Sequence, residues 1–147
     1  MVKNRNERQV YFMLHKIPDN LTGRDMDILN ILWKSDESLT ASQIASSDQG
    51  LTINTVQAVI RKLLKEKLIK IDNIVYSGTV LCRSYCPTMS EDDFALSQFN
   101  CEYRKIQKRI SKSTLVSALL GSEKNPDVIK NDISELQAML DEYKEKL

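Results

Sequence analysis

Residues 52–83 constrain the fold most, because a basic amphipathic helix is followed there at once by a β-rich segment. Apolar side chains recur over 56–68 at helical spacing, which predicts one buried face. Thr52 is a favourable N-cap and would begin this helix. The chain has only 4 Gly and 3 Pro, so long helices with few loops are expected around this unit.

The segment after the helix reads as a β-hairpin. Its β-branched and aromatic side chains favour strands, and Ser77-Gly78 supplies a turn because glycine tolerates a positive φ. Pro87 would end the second strand. Three ranges are predicted to be extended: 69–71, 74–76 and 79–86.

Two shorter helices are predicted ahead of this unit. Thr22 with Asp25, and Thr40 with Gln43, have the spacing of capping boxes. An apolar face including Trp33 follows the first cap. Helix, helix, basic helix and hairpin in this order predict a winged helix-turn-helix.

The C-terminal part is predicted to be helical and to bind a second copy of the chain. Acidic residues after Ser90 favour a helix start, and Asn125-Pro126 opens a last helix. The apolar spacing there is that of a coiled-coil seam. We expect these residues at a dimer interface: Phe99, Tyr103, Ile106, Ile110, Leu115, Leu119, Ile129, Ile133, Leu136, Leu140 and Tyr143.

The predicted fold class is therefore mainly α with a small β-hairpin wing (α+β). Residues 1–20 are expected to be an N-terminal extension, disordered or acting as a basic arm. Residues 21–88 would form the winged-helix domain and 89–147 a helical dimerisation domain.

Charge is distributed unevenly along a chain of net charge +1. Residues 1–89 contain 12 Lys and Arg against 9 Asp and Glu, whereas residues 90–147 contain 9 against 11. A locally basic surface on a near-neutral chain favours nucleic-acid binding by the first part.

The exposed face of the third helix has side chains suited to base edges in the major groove. Asn54 and Gln57 have amide groups that match adenine, and Arg61 suits guanine or a phosphate. Ala58 is small enough to sit against a thymine methyl group. The remaining predicted contacts to double-stranded DNA are Thr52, Thr55, Lys62, Lys65 and Arg83.

Enzymatic chemistry is not indicated. The sequence has no glycine-rich phosphate loop and no nucleophile elbow, and its single His15 has no evident catalytic partner. Cys82, Cys86 and Cys101 have no spacing typical of a zinc site or a disulfide framework. We expect no catalytic residue, no metal, no cofactor, no membrane segment and a cytoplasmic location.

Two other functions remain open from the residues alone. One is a winged-helix module that binds proteins and not DNA, which the modest basicity of the third helix allows. The other is a regulator with a ligand pocket between its two halves.

The chain resembles the penicillinase-repressor family. Leu21-Thr22-x-x-Asp25-x-x-Ile28-Leu29-x-x-Leu32-Trp33 looks like the family's opening, and 52–63 resembles its recognition helix. Lys67-Leu68-Ile69 and the wing ending Arg83-x-Tyr85-x-Pro87 continue the resemblance. It implies a homodimeric repressor on a palindromic operator, with a regulatory protease or sensor protein as a further partner.

The sequence departs from the family at three places. The family usually has proline where Ile53 stands and basic residues near Asn54 and Gln57. Family members that respond to β-lactams are cleaved between Asn and Phe, where Ala118 and Leu119 align. Copper-responsive relatives have a cysteine-rich C-terminal tail, which this chain lacks.

Overall fold

The computed structural model describes residues 16–147, and in this part of the chain six helices accompany a three-stranded antiparallel sheet. This confirms the predicted α+β class with a hairpin wing. In chain order the elements are α1 (Gly23–Lys34), β1 (Leu39–Thr40), α2 (Ala41–Ser47), α3 (Ile53–Lys65), β2 (Ile69–Ser77), β3 (Val80–Pro87), α4 (Glu91–Ile106), α5 (Lys112–Gly121) and α6 (Pro126–Glu145).

The first three helices begin where the sequence predicts. In α1 the Asp25 carboxylate accepts a hydrogen bond from the Thr22 N–H, and the Thr22 hydroxyl accepts one from the Asp25 N–H. Thr40 and Gln43 form the same capping box in α2. Both predicted capping boxes are therefore confirmed, which satisfies backbone donors that a helix start leaves without partners.

The core is formed mainly by the inward faces of α1, α2 and α3. Ile17, which was predicted to lie in an extension outside the domain, is 4% exposed and belongs to this core. The prediction is wrong for Ile17, because its apolar side chain is buried in the core with those of the helices. The proposed basic arm, with Lys3, Arg5 and Arg8, lies outside the described residues.

Helix α3 ends in a Schellman motif. The N–H of Leu68 donates to the carbonyl of Leu63, and the N–H of Lys67 donates to that of Leu64. Lys67 takes the left-handed conformation with φ 59°, a position that glycine usually fills. The motif reverses the chain sharply, so β2 starts two residues later.

The wing differs in detail from the prediction. Strand β2 is continuous through residues 72 and 73, with a bulge between Ile71 and Asn73. Gly78, with φ 66°, begins the turn, and Ser77 pairs with Val80. The sheet order is β1-β3-β2, so β2 is an edge strand.

The N-terminal part of α4 packs on the winged-helix unit. Phe94 is buried in the core and its ring lies 5.1 Å from that of Trp33. The Trp33 indole donates a hydrogen bond of 2.9 Å to the carbonyl of Met89. The chain divides into compact units after Cys101, whereas the sequence-based boundary lies earlier, between residues 88 and 89.

The second unit, Glu102–Leu147, contains α5 and α6, neither of which has a buried residue. Asn125 caps α6 and Pro126 occupies its first turn, as predicted. Helix α4 ends at Ile106, so Ile110 lies in the following turn and not on a continuing helical stripe. There its carbonyl accepts a hydrogen bond from the Tyr103 hydroxyl.

Residues 16–147 contain no helix with both the length and the apolar character needed to cross a lipid bilayer.

Candidate nucleic-acid interface

Helix α3 is held to the core by one face, which fixes the direction of the other. Its buried side chains are Val56, Val59, Ile60 and Leu63, at helical spacing. Because these four anchor the helix along most of its length, it cannot turn about its axis without exposing apolar surface. The opposite face is therefore presented to solvent in a fixed orientation.

We call that opposite face the recognition stripe: Asn54, Gln57, Ala58, Arg61 and Lys65. All five are exposed, as predicted from their spacing. Within residues 16–147, no hydrogen bond or ion pair engages the polar side chains of the stripe. Their donors and acceptors are consequently available to a ligand, and the stripe has two cations and no acid.

The start of α3 has a short hydroxyl relay. The Thr52 hydroxyl accepts from the Thr55 N–H at 3.2 Å and donates to the Thr55 hydroxyl at 3.0 Å. The Thr52 proton is therefore already used. The Thr55 hydroxyl can still donate outward, at the end of the helix where the dipole favours an anion.

Lys62, which the sequence predicts to contact DNA, has partners inside the protein. Its ammonium contacts the Asp25 carboxylate and donates to the carbonyl of Asn20 at 2.7 Å. This ion pair ties α3 to the start of α1 and to the segment before it. The charge of Lys62 is thus engaged inside the protein, where it helps to position the helix, and its predicted DNA contact stays a prediction.

The same contacts determine how Asp25 titrates. Burial raises the pKa of the Asp25 carboxyl. Hydrogen bonds from Lys62 and the Thr22 backbone, together with the Lys62 charge, lower this pKa by more than burial raises it. The net result is a pKa below its ordinary value. Asp25 is thus an anion at neutral pH although its side chain is nearly inaccessible to solvent.

Arg83 is the cation nearest the distal end of the wing. It lies on β3 opposite Ile74, and its side chain is exposed. The ten residues 73–82, which form the distal wing, contain no charged side chain. Arg83 is thus placed at the inner end of an uncharged tip, where it could meet a phosphate.

A groove of about 320 Å³ lies between α2 and β2. Most of its lining residues have a hydroxyl group, and none is charged. The sequence analysis did not identify it, although serines spaced four apart on the exposed face of α2 were a signal. Its lining residues are Thr40, Ser42, Gln43, Ser46, Ser47, Val75, Tyr76 and Ser77.

The predicted dimer residues leave apolar surface uncovered on the single chain. Leu119 on α5 and Leu140 on α6 are each 61% exposed. Phe99, Ile106, Ile133 and Tyr143 are also exposed, while the other five are half-buried. The half-buried five are Tyr103, Ile110, Leu115, Ile129 and Leu136.

A comparison with protein families gives the decisive match, since the penicillinase repressor family matches residues 21–142. The chain belongs to this family. Membership confirms the resemblance drawn from the sequence and places the chain among DNA-binding transcriptional repressors, which are not enzymes. No curated protein matches the chain significantly.

Solved structures with a similar fold include a MepR variant from a multidrug-resistant S. aureus isolate, at 20% identity and TM-score 0.43, covering 85% of this chain and 80% of that one. The S. aureus MepR–DNA complex has 15% identity and TM-score 0.42, covering 92% and 87%. Streptococcus pneumoniae FabT in complex with DNA has 13% identity and TM-score 0.39, covering 94% and 90%.

Proposed function

We propose that this penicillinase repressor family member is a homodimeric repressor that binds a palindromic operator through α3 of each protomer. The observation that carries the proposal is the recognition stripe. Its polar side chains are exposed and unengaged within residues 16–147, on a helix whose other face is buried. A B-DNA major groove admits one such helix.

Base recognition is assigned to the three polar side chains of the stripe that come before Lys65. Asn54 and Gln57 each offer an amide that donates and accepts at once, which matches adenine N6 and N7. Arg61 is one helical turn further along and offers a fork suited to guanine. Because these side chains have no partner within residues 16–147, they can bind without loss of a hydrogen bond to that part of the chain.

Phosphate contacts would supply most of the affinity. Lys65 and Arg83 provide charge, and the Thr55 hydroxyl provides a neutral donor beside the helix start. In the groove between α2 and β2, the Ser46 and Ser47 hydroxyls already donate to carbonyls of α2, so they add no such donor. The limited number of cations predicts a moderate dependence of affinity on salt.

The second unit would supply the dimer. Apolar residues recur along α6 at spacings of three and four, and none of them is buried in the single chain. A helix of this kind is stable in water only when its apolar side is covered. A two-fold axis at this surface would present two copies of α3, which is the reason for a palindromic site.

Replacing Gln57 or Arg61 with alanine should weaken specific binding by about 1–3 kcal/mol, which is roughly 5- to 150-fold. The loss arises because a bidentate contact to a base disappears. Affinity would be measured by fluorescence anisotropy on a duplex that the wild-type protein selects from a randomised pool.

Arg109→Ala is the matched control, since Arg109 is an exposed arginine of the second unit. It should bind as the wild type does. Both stripe variants should keep the far-ultraviolet circular dichroism of the wild type. Wild-type affinity in both of them would show that the stripe does not read bases.

A further inference from the structure

The wing has an open edge that is largely apolar and without charge over residues 73–77. In residues 16–147 nothing pairs with the outer side of β2, which is the edge strand. Ile74 is 59% and Tyr76 74% exposed, and the distal wing has no charge. A long, exposed and apolar edge strand is a template for pairing with another strand.

The register shows which main-chain groups face outward. Ser77 pairs with Val80 across a two-residue turn, and the Asn73 carbonyl accepts a bond from Ser84 on β3. Pairing alternates along an antiparallel strand, so Ile74 and Tyr76 direct their N–H and C=O groups away from β3. In agreement, the Ile74 N–H donates to the Asn73 side chain at 2.8 Å.

We propose that this edge binds the same edge of a second copy of the chain, as an antiparallel pair of β2 strands centred on Val75. The sequence around Val75 is symmetric in character, polar-apolar-apolar-apolar-polar over 73–77. Centring the pair there places Ile74 opposite Tyr76 twice, an aromatic and β-branched pairing that strands favour. It also places Asn73 opposite Ser77.

The charges of the open edge itself favour a second copy over DNA as the occupant. DNA binding requires cations near phosphates, and residues 73–77 of β2 have none, because the nearby Arg83 lies on the inner strand β3. Self-pairing brings no like charges together for the same reason. The contact does not require bound DNA. It is an association separate from the dimer that we propose for the second unit.

The contact is weak on its own. Five residues from each strand bury much less than the roughly 1,200 Å² of a stable interface. The Asn73 side chain must also leave the Ile74 N–H for the partner carbonyl to take its place. We therefore expect transient pairing, which becomes populated when two protomers are held close together.

Disulfide trapping at the centre of the pair tests the proposal. Val75→Cys would face its own copy at a non-hydrogen-bonded site, where Cα atoms lie about 4.5 Å apart, within the range of a disulfide. The background is Cys82→Val with Cys86→Ala and Cys101→Ala, because Cys82 lies opposite Val75 on β3 and would capture the new thiol.

Under mild oxidation, the Val75→Cys chain should form a covalent pair about tenfold faster than a Thr79→Cys chain in the same background, because pairing raises the local thiol concentration. Thr79 is an exposed turn residue off the edge, so it reports random collision. Equal rates would overturn the proposal.

A second measurement uses the natural cysteines, in case the altered background does not fold. In sedimentation at high protein concentration, Tyr76→Lys should remove association beyond the dimer, whereas Leu81→Lys should not. Leu81 is a similarly exposed apolar residue on the inner strand β3. Equal sedimentation of the wild type and both variants, or a loss of DNA affinity in Tyr76→Lys alone, would overturn the proposal.

Discussion

Replacing Lys62 with methionine is expected to lower the free energy of unfolding of the winged-helix unit by about 2–4 kcal/mol at neutral pH. The substitution keeps most of the apolar stem but leaves the Asp25 carboxylate buried without its cation. The unfolding would be followed in urea through the fluorescence of Trp33, the single tryptophan, which packs against Phe94 in this unit.

The free energies of unfolding of the wild type and the Lys62→Met variant should depend differently on acid pH. Asp25 in the wild type has a pKa lower in the folded state than in the unfolded chain. Its stabilisation is therefore complete above the unfolded pKa, near 4, and is lost as the pH falls through the lower folded value. Removing Lys62 takes away a hydrogen bond and a positive charge that lower the pKa of Asp25, so this pKa should be higher in the variant than in the wild type. The stability difference should thus shrink below about pH 4.

Lys65→Met is the control for the loss of a positive charge from α3. Lys65 is exposed and has no partner in residues 16–147, so its replacement should change stability by less than about 0.5 kcal/mol. Equal stability of the Lys62 and Lys65 variants at pH 7 would contradict the role assigned to the ion pair.

The double substitution Leu119→Asp and Leu140→Asp is expected to convert the proposed dimer to a monomer. Both side chains are 61% exposed in the single chain, so the fold of the protomer should tolerate the change. Across an apolar interface, however, the four new carboxylates would be buried without partners. Operator affinity should fall by about 10²–10⁴, because two linked half-sites bind as separate ones.

Sedimentation equilibrium measures the first effect and anisotropy the second. Ala138→Asp is the control, because Ala138 is exposed on α6 but outside the apolar spacing. A dimer that survives the double substitution would place the interface elsewhere on the chain. A monomer that retains full operator affinity would contradict the linked binding of half-sites.

The helices of the winged unit could be predicted because short-range chemistry determines their starts. Each helix is capped by a threonine whose hydroxyl oxygen accepts a hydrogen bond from the backbone N–H three residues later. These threonines are Thr22, Thr40 and Thr52. That signal lies within four residues of sequence. The exposed stripe of α3 follows from the same logic, since burial of one helical face fixes the position of the other.

Contacts between distant residues could not be read from the sequence. Asp25 and Lys62 are 37 positions apart. Local sequence explained Asp25 as part of a capping box and Lys62 as a basic surface residue, so nothing pointed to a contact between them. The burial of Ile17 likewise depends on space left by helices that follow it. Strand β1 has only two residues and exists because β3 pairs with it.

Local irregularities of the backbone could not be predicted from the sequence either. Lys67 adopts a conformation that glycine usually fills, because the Schellman hydrogen bonds donated by its own N–H and by that of Leu68 hold it there. The spacing that continued α4 to Ile110 did not reveal that the helix ends at Ile106. Spacing alone describes which residues share a face and not where the backbone turns.

The most direct test of the central claim is the binding of the purified full-length protein to duplex DNA from upstream of its own gene. Anisotropy would compare this duplex with a scrambled one of equal length at two salt concentrations. We predict tight binding to the upstream duplex that weakens as salt rises, and weaker binding to the scrambled duplex. Equal and weak binding to both duplexes, unchanged by salt, would contradict the assignment of α3 as a DNA-reading helix.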